Sequence, residues 1–235
     1  MNTVLFDLDG TLLPMNIETF TEAYCGALAR KLAPHGLDPK KMIAALWKGT
    51  DAMIQNDGSQ TNEDCFWDVF QSELQIKKED YEEIMDDFYR NDFKALEAFT
   101  EKTENATKCI KILKEKGYRL VVATNPLFPR LATMHRIHFA GLDENDFECY
   151  TTFEEYHYAK PNPKYYLELM ERIEVKPEDC IMIGNDVQED GSAIKAGAAC
   201  FIITDNLIQR KEEELVIDHG TFAEFVEIIK SWPSV

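Results

Sequence analysis

From residue 100 onward the chain alternates short apolar, β-prone runs with amphipathic segments, and no other feature constrains its fold as tightly. Thr103 to Lys116 carries apolar residues at helical spacing and stops at Gly117, a residue suited to a left-handed C-cap. RLVVA at Arg119 to Ala123 then reads as a strand. A helical stretch from about Phe128 to His138 precedes a short strand near Cys149 to Thr152 and a helix from Pro163 to about Ile173. A strand at Cys180 to Ile183 (CIMI), a helix from about Asp190 to Ala196 and a strand at Cys200 to Ile203 (CFII) complete the pattern. Thr3 to Phe6 supplies one more short apolar strand at the start. Strands and helices alternating at this spacing predict an α/β fold, a parallel sheet covered by helices on both faces.

Between Asn16 and about Leu96 the alternation is absent. Apolar residues there recur at helical spacing, as in Phe66, Val69, Phe70 and Leu74, with breaks near Pro34 to Gly36, Asp57 to Gly58 and Lys77 to Lys78. The aromatics Phe20, Tyr24, Trp47, Phe66, Trp67 and Phe70 read by the same spacing as core rather than pocket. The acidic run EDYEEIMDDFYRND from Glu79 to Asp92 reads as a solvated helix face.

In open α/β sheets ligands sit beyond the carboxyl ends of the strands, so the residues following each strand carry the functional signal. Asp7, Asp9 and Thr11 follow the first strand, Thr124 and Asn125 follow RLVVA, and Asn185, Asp186 and Asp190 follow CIMIG; Lys160 precedes the helix at Pro163. Asp7, Asp9, Asp186 and Asp190 then stand at one edge with Lys160 as the one cation of the set, a charge imbalance that a divalent ion would correct. Oxygen donors alone, without histidine or cysteine, point to magnesium, which keeps several waters and takes one or two carboxylates plus substrate phosphate. With such an ion a phosphate dianion can approach a carboxylate. One aspartate can attack phosphorus while the other manages protons, giving an acyl-phosphate that water hydrolyses. Thr124 and Asn125 would hold phosphoryl oxygens, and Lys160 would offset charge on nucleophile and phosphate. Residues two apart in an extended chain point the same way, so Asp7 and Asp9 share a site if the strand continues and diverge if it turns.

Composition narrows the partners. A formal net charge of −18 repels a nucleic-acid backbone or an anionic membrane surface, and no stretch approaches the ~20 apolar residues of a spanning helix. Six well-separated cysteines with no C-x-x-C pair read as buried hydrophobes in a reducing compartment, and the protein is expected to be cytoplasmic, as a monomer or homodimer. His135 and His138, three apart on one helix with no third ligand in view, read as a surface or interface pair.

Four segments together are similar to a known family. D-x-D-G-T-L at Asp7 to Leu12, T-N at Thr124 and Asn125, K-P-x-P at Lys160 to Pro163 and G-N-D-x-x-x-D at Gly184 to Asp190 resemble, in order, the four motifs of the haloacid dehalogenase-like (HAD) hydrolase superfamily. The resemblance implies a Rossmann-like α/β core formed by residues 1–14 and 97–235, with residues 15–96 as an inserted helical (C1) cap. It implies Asp7 as nucleophile, Asp9 as general acid/base, Thr124 and Asn125 as phosphoryl binders and Lys160 as the charge-stabilising lysine. Magnesium would lie between the Asp7 carboxylate, the Asp9 backbone carbonyl and Asp186. Asn185 and Asp190 would stand behind these ligands, Asn185 replacing the acidic residue of many relatives. The expected activity is a magnesium-dependent phosphatase acting on a small phosphorylated metabolite. A phosphomutase of the same family, which shares the motifs, and a non-catalytic binding or regulatory protein are the alternatives.

Overall fold

The computed structural model describes residues 1–210 and 215–235. Six parallel strands form one sheet: β1 (Thr3–Phe6), β2 (Arg119–Val122), β3 (Cys149–Tyr150), β4 (Cys180–Gly184), β5 (Ala199–Ile203) and β6 (Asp218–Gly220), in the order β3-β2-β1-β4-β5-β6. The chain passes from β1 to β2 and β3 on one side, then returns to place β4 on the other side of β1. The crevice beyond the ends of β1 and β4 is therefore the topological switch point of the sheet.

Alternation along the strands divides the apolar residues between two faces. Val4 and Phe6 of β1, with Leu120 and Val122 of β2, join the larger core. Leu5 and Val121 face the opposite way and pack with Tyr165, Tyr166, Leu169 and Met170 of the helix Pro163–Arg172. This is the α/β architecture that the alternating pattern predicts. The larger core is continuous with a helical block formed by α1 (Ile17–Leu32), α2 (Pro39–Ile54), α3 (Asn62–Leu74) and α4 (Lys78–Arg90). Their starts follow from capping side chains. Asn16, Asp38 and Thr61 each accept a backbone N–H two or three residues inside the helix they open.

The acidic segment over α4 is amphipathic: Met85, Phe88 and Tyr89 are buried, while Asp87 and Asp92 pair with Lys31 of α1. Five further elements complete the core: α5 (Glu104–Glu115), α6 (Arg130–Phe139), α7 (Pro163–Arg172), a 3-10 turn at Asp190–Ala196 and α8 (Phe222–Lys230). The two histidines of α6 do not form a surface pair. His135 is buried, stacked with Phe93 and Phe139, and His138 is bound to Glu144 at the rim. None of the six cysteines is in a disulfide, and five are buried. Among the described residues no helix is long and apolar enough to cross a membrane.

Candidate active site

Burial on both faces leaves β1 no solvated surface, and after the apolar run Val4 to Phe6 the first charged side chain emerges at its carboxyl end, where the Asp7 amide still pairs with the Ile183 carbonyl at 2.8 Å. Asp7 Oδ1 accepts from Lys160 Nζ at 2.8 Å, and the same ammonium donates to Asp190 Oδ1 at 2.6 Å. Lys160 and Asp190 are each about 1% exposed, so one buried cation faces two buried carboxylates. Such a cluster persists only because every member is paired. Burial pushes the Asp7 carboxyl up to about 8, against the opposing pull of Lys160. For Lys160 burial pulls downward, but the Asp190 and Asp7 carboxylates outweigh it and hold the ammonium well above its ordinary value.

Asp7 and Asp9 diverge. The chain turns at Leu8 to Gly10, and Gly10 sits at a φ of +87° with room for no Cβ: one there would lie 2.3 Å from Asn185 Nδ2. Asp9 Oδ2 is held by the Arg136 guanidinium from α6, and Asp9 Oδ1 is buried with no hydrogen-bond partner. Arg136, about 1% exposed on its side chain, also packs over the Phe128 ring at 4.5 Å and donates to Thr133 Oγ1. Both aspartates nevertheless line the same cavity.

After β4 the motif folds on itself. Asp190 Oδ2 accepts the Asp186 backbone N–H at 2.9 Å, which requires close passage over Gly184, where an added Cβ would lie 2.0 Å from that oxygen. Gly184→Ala should therefore displace Asp190 from Lys160. We expect a cost of about 1–3 kcal/mol in a urea melt together with a loss of turnover, and an unchanged midpoint would contradict the packing described. Asp186 Oδ1 accepts from the backbone of Gln188 and Glu189, and its carboxylate is paired with the half-exposed Arg210 guanidinium at 2.6 Å. Asn185 accepts from Thr11 Oγ1 and donates to the Asn206 carbonyl, tying the first and fourth motifs together behind the site.

Thr124 and Asn125 reach the same cavity, but their polar groups are engaged in scaffolding as well. The Thr124 carbonyl accepts from Tyr165 and Thr151, and Asn125 Oδ1 takes the Lys160 backbone N–H at 3.1 Å while Nδ2 donates to Glu189. The geometry thus joins Asp7, Lys160 and Asp190 in one cluster and sets Asp9 and Asp186 beside it on separate arginines. Three residues that the sequence reading passed over belong here: Arg136, Arg210 and Glu189. Burial, reinforced by the Asp186 charge, pushes Glu189 up to about 7.

The cavity above these carboxylates has a volume of about 370 Å³ and is walled by α1, α2, α3 and the loop after β2. Phe20, Tyr24 and Phe66 are buried in the core, as their spacing predicts, and also line this cavity; Trp67 and Phe70 are buried core alone, and Trp47, half-exposed on the cavity wall, departs from the core reading.

A parallel sheet with four polar motifs at one edge and a helical block above them defines a Rossmann-like α/β protein with its site at the strand ends. The haloacid dehalogenase-like hydrolase family model matches residues 1–197, and the chain belongs to that family. Pyrophosphatase PpaX of Halalkalibacterium halodurans is 25% identical over 210 residues, 86% of this chain and 83% of its own. A glyceraldehyde 3-phosphate phosphatase of Methanothermobacter thermautotrophicus is 29% identical over 116 residues, 47% of this chain and 48% of its own. The crystal structure of a HAD phosphatase from Thermococcus onnurineus matches with a TM-score of 0.64 at 21% identity over the whole of both chains.

Proposed function

We propose that this hydrolase is a magnesium-dependent phosphatase that cleaves small phosphate monoesters through a phosphoryl-enzyme on Asp7, with residues 15–96 acting as its cap. One observation carries the reading: two carboxylates two residues apart enter one cavity with opposite surroundings. Asp7 shares a buried ammonium with Asp190, whereas Asp9 holds the Arg136 guanidinium with one oxygen and keeps the other, buried, without a partner. Paired acids whose environments differ in this way suit a nucleophile and a proton carrier.

In the first half-reaction an Asp7 carboxylate oxygen forms a bond to phosphorus as the ester P–O bond breaks, and Asp9 gives its proton to the departing oxygen. In the second, water attacks phosphorus, passes its proton to Asp9 and frees the Asp7 carboxylate. The sum is ester plus water giving alcohol plus phosphate. Lys160 keeps Asp7 oriented and offsets charge on the phosphoryl group, while Thr124 and Asn125 border its oxygens.

The donor set fits magnesium. Asp7, Asp9 and Asp186 line one cavity and offer oxygen donors alone, so a ligand shell would draw on the Asp7 and Asp186 carboxylates and the Asp9 carbonyl, with water and substrate filling the rest. Bound there, the ion would neutralise phosphate and carboxylate charge together. Arg210, half-exposed, now gives Asp186 that positive charge. Arg210→Gln should therefore tighten magnesium binding in calorimetry by roughly two- to fivefold, the scale of one exposed ion pair; unchanged or weaker binding would show that Arg210 does not compete.

The test of the function is phosphate release from a panel of phosphate monoesters with magnesium, with chelator, and with Asp186→Asn. We expect release that chelator stops, that added magnesium restores and that Asp186→Asn reduces sharply. Release indifferent to chelator, or none from any ester, would overturn the reading.

A further inference from the structure

The names of the two relatives point to pyrophosphate and a triose phosphate, both strongly polar, whereas the cavity over Asp7 is mainly apolar. On the helical side its wall is mainly apolar, with Ile17, Phe20, Leu46, Trp47, Met53 and Ile54; Thr21, Thr50 and the mutually hydrogen-bonded hydroxyls of Tyr24 and Tyr89 stand among them, and Leu127 and Phe128 close it from the loop after β2. No lysine, histidine or arginine of α1 to α4 lines it. The two cations that do, Arg136 and Arg210, are already committed to carboxylates: Arg136 to Asp9, Arg210 to Asp186 and Glu189. Five acidic residues, Asp7, Asp9, Asp186, Glu189 and Asp190, lie at the floor.

These facts decide between leaving groups. Pyrophosphate departs as a second phosphate; among the described residues the cation that magnesium binding would release is Arg210 at the floor, and charge placed further up the cavity would meet apolar carbon at a cost of several kcal/mol. A sugar would bury several hydroxyls against a wall whose polar groups are mostly engaged already, the Tyr24 and Tyr89 hydroxyls with each other and Thr50 with the Leu46 carbonyl, so that part of its hydrogen bonding would go unmet. A hydrocarbon chain or ring loses nothing there and gains by leaving water.

Resting on the phosphatase reading above, we propose that the substrate class is phosphate monoesters of apolar alcohols, with the phosphate at Asp7 and the hydrocarbon in the cavity. The volume of about 370 Å³ suits a phosphate with an aliphatic or aryl group of moderate size. Trp47 is the gate residue of this subsite: it is 47% exposed yet lines the cavity, so a bound chain would cover it.

The experiment compares kcat/KM for ethyl and hexyl phosphate with magnesium, alongside glucose 6-phosphate and pyrophosphate. The two alcohols leave equally well, so their ratio reads burial alone. Each methylene buried in apolar surroundings is worth roughly three- to fourfold, so with all four extra methylenes buried hexyl phosphate should exceed ethyl phosphate by roughly 80- to 250-fold, and both polar substrates should fall well below hexyl phosphate. Trp47→Ala, at a position exposed enough to leave folding intact, should lower the hexyl-to-ethyl ratio roughly fivefold or more. A flat alkyl series, or preference for pyrophosphate or the hexose phosphate, would overturn the substrate class and leave the phosphatase reading standing. No release from any of the four would overturn the phosphatase reading itself.

Discussion

Asp7→Asn should slow phosphate release by roughly 10⁴-fold or more while raising the melting temperature. The activity loss follows from chemistry, since a carboxamide oxygen does not form a bond to phosphorus under these conditions. The gain in stability follows from charge. Lys160 is one buried ammonium facing the carboxylates of Asp7 and Asp190, and Asp9 lies two residues beyond. Replacing Asp7 with its neutral isostere keeps an acceptor for Lys160 Nζ and leaves a balanced Lys160–Asp190 pair. Active-site charge of this kind is held at the expense of stability. In chelator, where metal binding does not contribute, we expect a rise of about 2–4 °C, the shift that ~1 kcal/mol produces in a chain of this size. With magnesium added the order should narrow, because the parent gains more from the ion than the variant does. A variant that melts several degrees lower in chelator would mean that Asp7 is a net stabiliser, and one that still turns over would remove it from the chemistry.

Lys160→Met tests the same cluster from the other side and should be the most destabilising single change in the site. It leaves the Asp7 and Asp190 carboxylates buried without their cation, and removing one partner of a buried pair costs about 3–5 kcal/mol. For this chain that lowers the melting temperature by roughly 6–20 °C. Activity should vanish with it, since the nucleophile loses its orienting contact. The double variant Lys160→Met with Asp7→Asn separates the charge effect from lost packing. It should recover clearly more of the single variant's loss than the ~1 kcal/mol that Asp7→Asn contributes alone, because only one carboxylate then remains unpaired. Strict additivity in a urea melt would show that the two side chains do not share a charge interaction.

The alternating half of the chain was legible because β1, β2 and β4 are short and end in buried apolar runs, so each stops abruptly at the polar residue that matters. Asp7, Thr124 and Asn185 are the first polar residues after β1, β2 and β4, and the sheet order brings those ends together. Arg136 was not legible, although a signal existed. It shares the buried face of α6 with Ala132 and Phe139, a charged residue on an apolar stripe that calls for a buried partner. Its partner, Asp9, lies 127 residues away, a distance no local pattern spans. Arg210 lies likewise in a segment without periodicity. The helical block illustrates a different limit. Helical spacing identifies Phe20, Tyr24 and Phe66 as inward-facing, but inward is the same direction for a core and for a pocket roofed by three helices. Only the assembled packing distinguishes them. At the C-terminus α8 went unread despite a capping box at Thr221 and Glu224, because β6 before it is three residues long and largely polar.

The central claim is that Asp7 receives the phosphoryl group, and one measurement tests it most directly. Asp9→Asn enzyme is mixed with radiolabelled phenyl phosphate and magnesium, stopped in acid within the first turnover, and its peptides are separated. Phenol departs readily without a proton donor, whereas breakdown of the phosphoryl-enzyme lacks its base, so label should accumulate. We expect hydroxylamine-labile label on the peptide that contains Asp7, and none when Asp7→Asn is combined with Asp9→Asn. Label on a different residue, or free phosphate formed at the parent rate by Asp7→Asn enzyme that carries no label, would contradict the account.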